Sequence, residues 1–248
     1  MSRVIAIANQ KGGVGKTTTA INLGASLAIA ERRTLVIDCD PQGNASSGLG
    51  IARETDSADV YDCLVNGTAV EEAIRPAIHF PMLDVVPASR DLAGAEVELI
   101  ERPRRERILR DIVEPVRDRY EYVLIDSPPS LGLLTLNALV AADTVLIPIQ
   151  CEFYALEGLS QLLNTVRIVQ RSINPELGIE GVLLTMFDSR LNLSKQVKGE
   201  AEEYFGAKVF KTWIPRNVRL AEAPSFGQPI ALYDVLSTGA RGYLSLAS

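Results

Sequence analysis

Eleven consecutive residues near the N-terminus, Asn9-Gln10-Lys11-Gly12-Gly13-Val14-Gly15-Lys16-Thr17-Thr18-Thr19, have the types and spacing needed to hold a polyphosphate. Glycines let the backbone curl so that several N–H groups converge on phosphate oxygens, and a helix starting at the end of the run would add the positive end of its dipole. Lys16 supplies a cation for the β and γ phosphates. The Thr17 hydroxyl can join the octahedral oxygen shell of Mg²⁺, while the backbone of Gly12, Gly13, Val14, Gly15 and Thr18 completes the cradle. The strict form of this pattern has glycine five residues before Gly15, where Gln10 stands. The loop is therefore a variant, and its second lysine, Lys11, is the informative residue. A glycine-rich turn that merely joins a strand to a helix is the competing reading, and the Gly-Lys-Thr-Thr run argues against it.

Two more sets of residues could complete such a site. Asp126 closes an apolar run and Asp40 follows another, with Asp38 as a second candidate beside it. Carboxylates at strand ends can hold the water shell of a metal ion, or simply cap the helix that follows. The Pro128-Pro129 pair keeps the chain after Asp126 out of helix and stiffens a turn beside the terminal phosphate. No Asn is followed by Lys, so the Asn-Lys-x-Asp signature of guanine-specific loops is missing and ATP is favoured over GTP.

These residues need a scaffold. Short Val/Ile/Leu-rich runs alternate with longer helix-like stretches, the pattern of β-α units around a parallel sheet buried on both faces. The expected strands are 4–8, 34–38, 83–86, 122–126, 144–150 and 179–185, with a weaker one at 208–210. The fold class is α/β: a mostly parallel, twisted central sheet with helices on both faces. Gln42 to Gly50 reads as a mobile loop from its Gly and Asn content. Glu98 to Arg119 reads as one exposed helix with Pro103 and Pro115 at its limits, and Gly239 to Ser248 as the start of a last helix.

A chain of 248 residues, 47% apolar and 23% charged, predicts a folded protein, and residues 1–248 read as one domain. The apolar stretch at 4–8 is too short for a signal-peptide core or a membrane span, which implies a cytoplasmic protein. Cys39, Cys63 and Cys151 are scattered and odd in number, suggesting neither a disulfide framework nor a zinc site. The single histidine, His79, between Ile78 and Phe80, has a surface or packing role, and Trp213 reads as core.

Lys11-Gly12-Gly13-Val14-Gly15-Lys16-Thr17 resembles the deviant Walker A loop of the ParA/MinD group of ATPases. The segments Asp38 to Asn44, Leu124 to Gly132 and Ile214 to Leu220 resemble its chromosomal ParA (Soj) branch, so the likeness covers nearly the whole chain. It implies a P-loop fold and an Mg²⁺-dependent ATPase with ATP sandwiched between two subunits. Lys11 would reach the partner's nucleotide, Lys16 would hold the phosphates of its own, and Asp40 would position the attacking water. Thr17 would bind Mg²⁺ directly, Asp126 and Asp40 through water, and Pro215 and Asn217 would contact adenine. A cation delivered in trans makes chemical sense, because it stabilises developing phosphate charge and links pairing to the nucleotide. Without the resemblance, Lys11 reads as an exposed lysine in a loop and Pro-Asn as an ordinary turn.

The formal net charge is −6, yet Arg190, Lys195, Lys198, Lys208, Lys211, Arg216 and Arg219 outnumber three acids between 190 and 219. Such a face attracts DNA phosphates by releasing counterions, with no helix-turn-helix to read bases, or it is simply a solvated surface. The resemblance implies the former: Arg190, Lys195, Lys198, Arg216 and Arg219 would bind nonspecific DNA once ATP pairs the subunits, placing the protein on the nucleoid with a ParB/Spo0J-type partner. A membrane-cycling MinD-like regulator is an alternative. It would need bases in the tail 242–248, which has none. An iron-sulfur carrier would need a cysteine pair that Cys39 and Cys151 do not supply by spacing.

Overall fold

The computed structural model of the chain describes residues 2–52, 57–152 and 157–248. Six parallel strands form one sheet: β1 (Arg3–Ile7), β2 (Thr34–Asp38), β3 (Leu83–Val86), β4 (Tyr122–Asp126), β5 (Thr144–Gln150) and β6 (Gly178–Thr185), in the order β3-β2-β4-β1-β5-β6. The helices are α1 (Lys16–Ile29), α2 (Asn44–Gly48), α3 (Val70–Ala73), α4 (Leu92–Glu98), α5 (Ile108–Arg117), α6 (Leu133–Ala141), α7 (Glu157–Ser172), α8 (Asn192–Phe205), α9 (Val218–Glu222), α10 (Ile230–Tyr233) and α11 (Thr238–Leu246).

The strands are mostly apolar because both faces are covered, with most of the polar residues at their ends. Val4, Ala6, Leu35, Ile37, Val123 and Ile125 point into one layer, while Ile5, Ile7, Val36, Leu124, Leu146 and Leu183 point into the other. This is the period of two expected of a pleated strand, with hydrophobic burial of about 1.5–3 kcal/mol per large side chain on each side. Helix α1 lies close on the sheet at Gly24, where a Cβ would come within 2.7 Å of Val36. Among the described residues, no helix is long and apolar enough to cross a membrane.

Three expectations are corrected. Residues 42–50 are not a mobile loop: they include α2, whose Ala45 and Ser46 are buried and which leads into buried Leu49. Polar composition hid it because the helix is held by hydrogen bonds from Ser46 to the Asp38 carboxylate. Residues 98–119 are not one helix. α4 ends at Glu98, a 3₁₀ turn covers Arg105–Arg107, and α5 carries Pro115 within it. Burial of Leu109, Val113 and Val116 on one face outweighs the single hydrogen bond that Pro115 removes. Residues 208–210 form no strand. Gly206–Lys208 is a 3₁₀ turn and Val209 makes one isolated bridge to Val182, so the edge of β6 is only briefly covered.

β1 leaves the middle of the sheet. The chain runs from it toward β2 and β3 on one side and later returns through β4 to β5 and β6 on the other. The crevice at such a reversal, beyond the carboxyl ends of the strands, is where open α/β sheets bind ligands.

Candidate functional site

The expected phosphate residues converge on that crevice. Beyond β1 the backbone turns through Gly13 (φ 75°) and Gly15 (φ 89°), and Gly15 caps α1 in a left-handed conformation that a side chain would strain. The first N–H groups of α1 consequently face a cavity of about 290 Å³ lined by Gly12, Gly13, Lys16, Thr17, Asp40 and Pro129, among others. From the opposite side β6 braces the loop: the Thr185 hydroxyl donates to the Val14 carbonyl at 2.8 Å. Asn9 closes the loop's base, donating to the Pro148 carbonyl at 2.7 Å and accepting from the Lys11 N–H at 3.0 Å.

Three carboxylates stand at neighbouring strand ends. Parallel register pairs Asp126 with Ile7 on one side and with Asp38 on the other. Asp126 is fully buried, and among the described residues neither carboxylate oxygen has a donor in good hydrogen-bond geometry, although the Thr17 hydroxyl is close enough to favour its charge. Burial first, and then the Asp38 charge, raise its pKa well above the ordinary value; nearby Thr17 and Lys16 act in the opposite direction. Asp38 is pushed up to about 6, chiefly by burial, against hydrogen bonds from Ser46 and Asp40. Burial likewise lowers the Lys16 pKa, with Asp126 and Asp40 opposing. A buried carboxylate beside a threonine hydroxyl and a phosphate cradle fits a hydrated divalent cation, whose charge would relieve the repulsion among these acids.

A second, mostly apolar cavity of about 370 Å³ adjoins the first, sharing Gly15, Thr18 and Met186 with it. Pro215 and Asn217 line it as expected, with Ile214, Leu220 and Tyr243. Its size and lining suit a flat aromatic base. The Asn217 amide is partly engaged within the chain: its oxygen accepts from the Arg219 N–H at 2.8 Å, capping α9, and its nitrogen donates to the Thr238 hydroxyl at 2.8 Å. One further donor and one further lone pair remain on it.

Lys11 does not point into the cavity of its own chain, and its ammonium pairs with the Glu152 carboxylate. The basic residues late in the chain are brought partly together. Arg190 forks onto Asp188, which also feels the Arg216 charge. Lys198 lies 4.9 Å from the Trp213 ring centroid and 3.7 Å from Glu202. Lys195 and Arg216 are exposed, and Arg219, on α9, pairs with Glu222 at 2.9 Å and Asp234 at 3.7 Å. Trp213 is not core as expected. It is 38% exposed, tilted against Phe187 with centroids 5.0 Å apart, and on its outer side it meets the Lys198 ammonium and not an apolar layer.

Four residues that shape the site carry no signal in the sequence: Thr185, Met186, Glu152 and Tyr243. Tyr243 is buried on α11 and its hydroxyl lies 3.2 Å from that of Thr19 on α1. Met186 has a positive φ of 50°, costly for a non-glycine residue, and it is held at the shared wall of the two cavities.

Comparison with known proteins gives the arrangement a setting. A family profile described as an AAA domain matches residues 2–179. The chain is 58% identical over 246 residues to the chromosome partitioning protein ParA of Myxococcus xanthus, covering 99% of this chain and 87% of that one. It is 59% identical over 247 residues to the sporulation initiation inhibitor protein Soj of Bacillus subtilis, covering 100% and 97%. Among solved structures, cobyrinic acid a,c-diamide synthase from Mycobacterium smegmatis, with bound ATP analog and magnesium, superposes with a TM-score of 0.88 at 36% identity, over 100% of this chain and 93% of that one.

Proposed function

We propose, because this chain belongs to the AAA domain family and within it to the ParA/Soj chromosome-partitioning ATPases, that it is an ATP-dependent pairing switch that binds nonspecific DNA and hydrolyses ATP slowly during segregation. Residues 1–248 act as one such domain. The observation that carries the reading is the curled backbone of 12–18 around a cavity lined by Lys16, Thr17 and Asp40, with fully buried Asp126 close to Thr17 and Lys16.

Each residue then has a role. Backbone N–H groups of Gly12 to Thr18 and the Lys16 ammonium hold the triphosphate. Mg²⁺, when bound, neutralises charge between the terminal phosphates. Thr17 would hold it directly, and Asp126 and Asp40 would hold it through its waters. Asp40 also orients the attacking water, while Lys16 and a second copy's Lys11 stabilise the charge that develops on the leaving phosphate. Lys11 must leave Glu152 to do so, which makes pairing and hydrolysis depend on one side chain. Pro215 and Asn217 seat the adenine.

Pairing doubles the basic surface of Arg190, Lys195, Lys198, Arg216 and Arg219. Two weak sites on one rigid body bind DNA far more tightly than either alone. This supports a nucleoid-bound form that exists only with ATP, and a centromere-binding partner of the ParB/Spo0J type that stimulates hydrolysis. A membrane-cycling reading is disfavoured because α11 buries Gly239, Ala240 and Tyr243 against the protein itself. The test is DNA cosedimentation with ATP, with ADP and without nucleotide, on the wild type and on Lys11→Ala. Retention only by the wild type with ATP is expected, and equal retention in all conditions overturns the switch.

A further inference from the structure

Asp40 enters the phosphate cavity from the turn between β2 and α2, so its aim depends on what fixes that turn. Two buried side chains do. One oxygen of the Asp38 carboxylate accepts from the Asp40 N–H at 3.1 Å. The other accepts from the Ser46 N–H at 2.8 Å and from the Ser46 hydroxyl at 2.7 Å. That same hydroxyl accepts from the Ala88 N–H at 2.9 Å, just beyond β3. Asp38 is 0% and Ser46 3% exposed, so water does not substitute for these bonds. The result is a continuous chain of hydrogen bonds from the backbone after β3, through one hydroxyl and one carboxylate, to the backbone of Asp40. The Asp40 carboxylate accepts from the Gln42 N–H at 2.9 Å inside the anchored turn.

The far end of the segment is also tied. His79 Nε2 lies 2.9 Å from the Leu49 carbonyl and 2.8 Å from that of Gly227, a donor shared between the residue after α2 and the turn after α9. α2 is thus held at both ends, and Ser46 is the point at which it is locked to the sheet.

We propose that Ser46, acting through Asp38, is a positioning residue for Asp40 in ATP hydrolysis; this rests on the role of Asp40 proposed above. The position demands a hydroxyl, because one atom must donate to a carboxylate and accept from an N–H at once. Alanine removes both bonds and leaves the Ala88 N–H and the Asp38 oxygen short of partners, allowing the turn to relax. The phosphate cradle is on β1 and α1 and is untouched. Misplacing a catalytic group by a fraction of an ångström slows chemistry without loosening substrate.

The experiment is steady-state ATP hydrolysis by the full chain with Mg²⁺ and DNA, comparing wild type, Ser46→Ala, Ser46→Thr, Ser46→Cys, Asp40→Ala and the Ser46→Ala/Asp40→Ala double variant. Ser46→Ala is expected to lower kcat by about 10-fold or more with KM changed less than about twofold. Ser46→Cys, which keeps the volume but weakens both hydrogen bonds, should fall with it, and Ser46→Thr should return most of the rate. In the Asp40→Ala background, Ser46→Ala should remove nothing further from the residual rate. An unchanged kcat in Ser46→Ala or Ser46→Cys, a rise in KM in place of a fall in kcat, or an additive loss in the double variant overturns the proposal. Wild-type hydrolysis by Asp40→Ala alone would instead remove the role of Asp40 on which it rests.

Discussion

The Lys16 ammonium donates to the Lys11 carbonyl at 3.1 Å, across the mouth of the phosphate loop. The side chain is 6% exposed, so the cation is already desolvated and aimed where phosphate oxygens would arrive. Lys16→Ala should therefore weaken ATP binding by about 3 kcal/mol, roughly 100-fold, as expected for removing one partner of a buried charge pair. Isothermal titration calorimetry checks this, and an unchanged affinity would refute the loop assignment.

Asp40 lines the phosphate cavity without touching the cradle itself. Asp40→Ala should keep ATP affinity while hydrolysis falls on the order of 100-fold or more, the usual scale for removing a group that handles the proton of the attacking nucleophile. The uncleaved nucleotide should hold two copies together. Size-exclusion chromatography with ATP and Mg²⁺ should then show a persistent dimer, and a monomer under those conditions counts against the role.

Arg219 is exposed on α9, where it pairs with Glu222 and Asp234 and neighbours Tyr233, and it does not line the phosphate cavity. Arg219→Glu should weaken DNA binding and reduce its salt slope by about one unit for each phosphate the side chain had neutralised, leaving ATP-dependent pairing intact. Retention on DNA at low salt equal to the wild type would take this residue off the DNA surface.

On the proposed DNA surface, Asp188 would compete with phosphate for Arg190, which it holds by two side-chain hydrogen bonds. The Arg190 hydrogen bonds depress the Asp188 carboxyl to about 2, below its ordinary 3.8. A depressed carboxyl contributes its stabilisation above the unfolded value and loses it as pH falls through about 2, so the pair is intact throughout the neutral range. DNA affinity should accordingly show no titration attributable to this pair between about pH 5 and 9, whereas Asp188→Asn should tighten DNA binding a few-fold and steepen the salt dependence. Fluorescence anisotropy with labelled duplex measures both, and a weaker Asp188→Asn complex would contradict the competition.

All three cysteines are buried free thiols. Burial pushes Cys63 up to about 12 and Cys151 to about 11, and Cys39 rises well above the ordinary thiol value through burial and the neighbouring Asp38. At pH 8 the native protein should react with Ellman's reagent far more slowly than free thiol does, releasing its full stoichiometry only on denaturation. Rapid native labelling would show that one of these sites opens.

The four strands β2, β3, β4 and β5 are readable to the residue because doubly buried parallel strands are written as short Val/Ile/Leu-rich runs, a pattern that Asp84 in β3 and Pro148 in β5 do not hide. The cradle is readable for a related reason: Gly13 and Gly15 are required by local backbone geometry, which sequence records directly. α2 is not readable. Its Gly and Asn residues describe a loop, and what makes it a helix is the buried Asp38–Ser46 bond and the Ala88 N–H supplied from 42 residues away. Thr185 and Tyr243 reach the site across still longer separations, 171 residues to Val14 and 224 to Thr19, and no local spacing encodes contacts of that range. Trp213 misleads because a large aromatic residue next to apolar Ile214 looks buried, whereas in the fold part of its surface stays open and Lys198 on α8 lies over its ring.

Because Tyr243 on α11 lines the apolar cavity and meets Thr19 on α1, that cavity joins elements 224 residues apart. The phosphate loop, by contrast, is built from β1, α1 and the turn between them, so it forms from neighbouring residues. Completion of that cavity therefore waits on the docking of α11 against α1, and a substitution that loosens this contact should disturb the cavity without touching the phosphate loop.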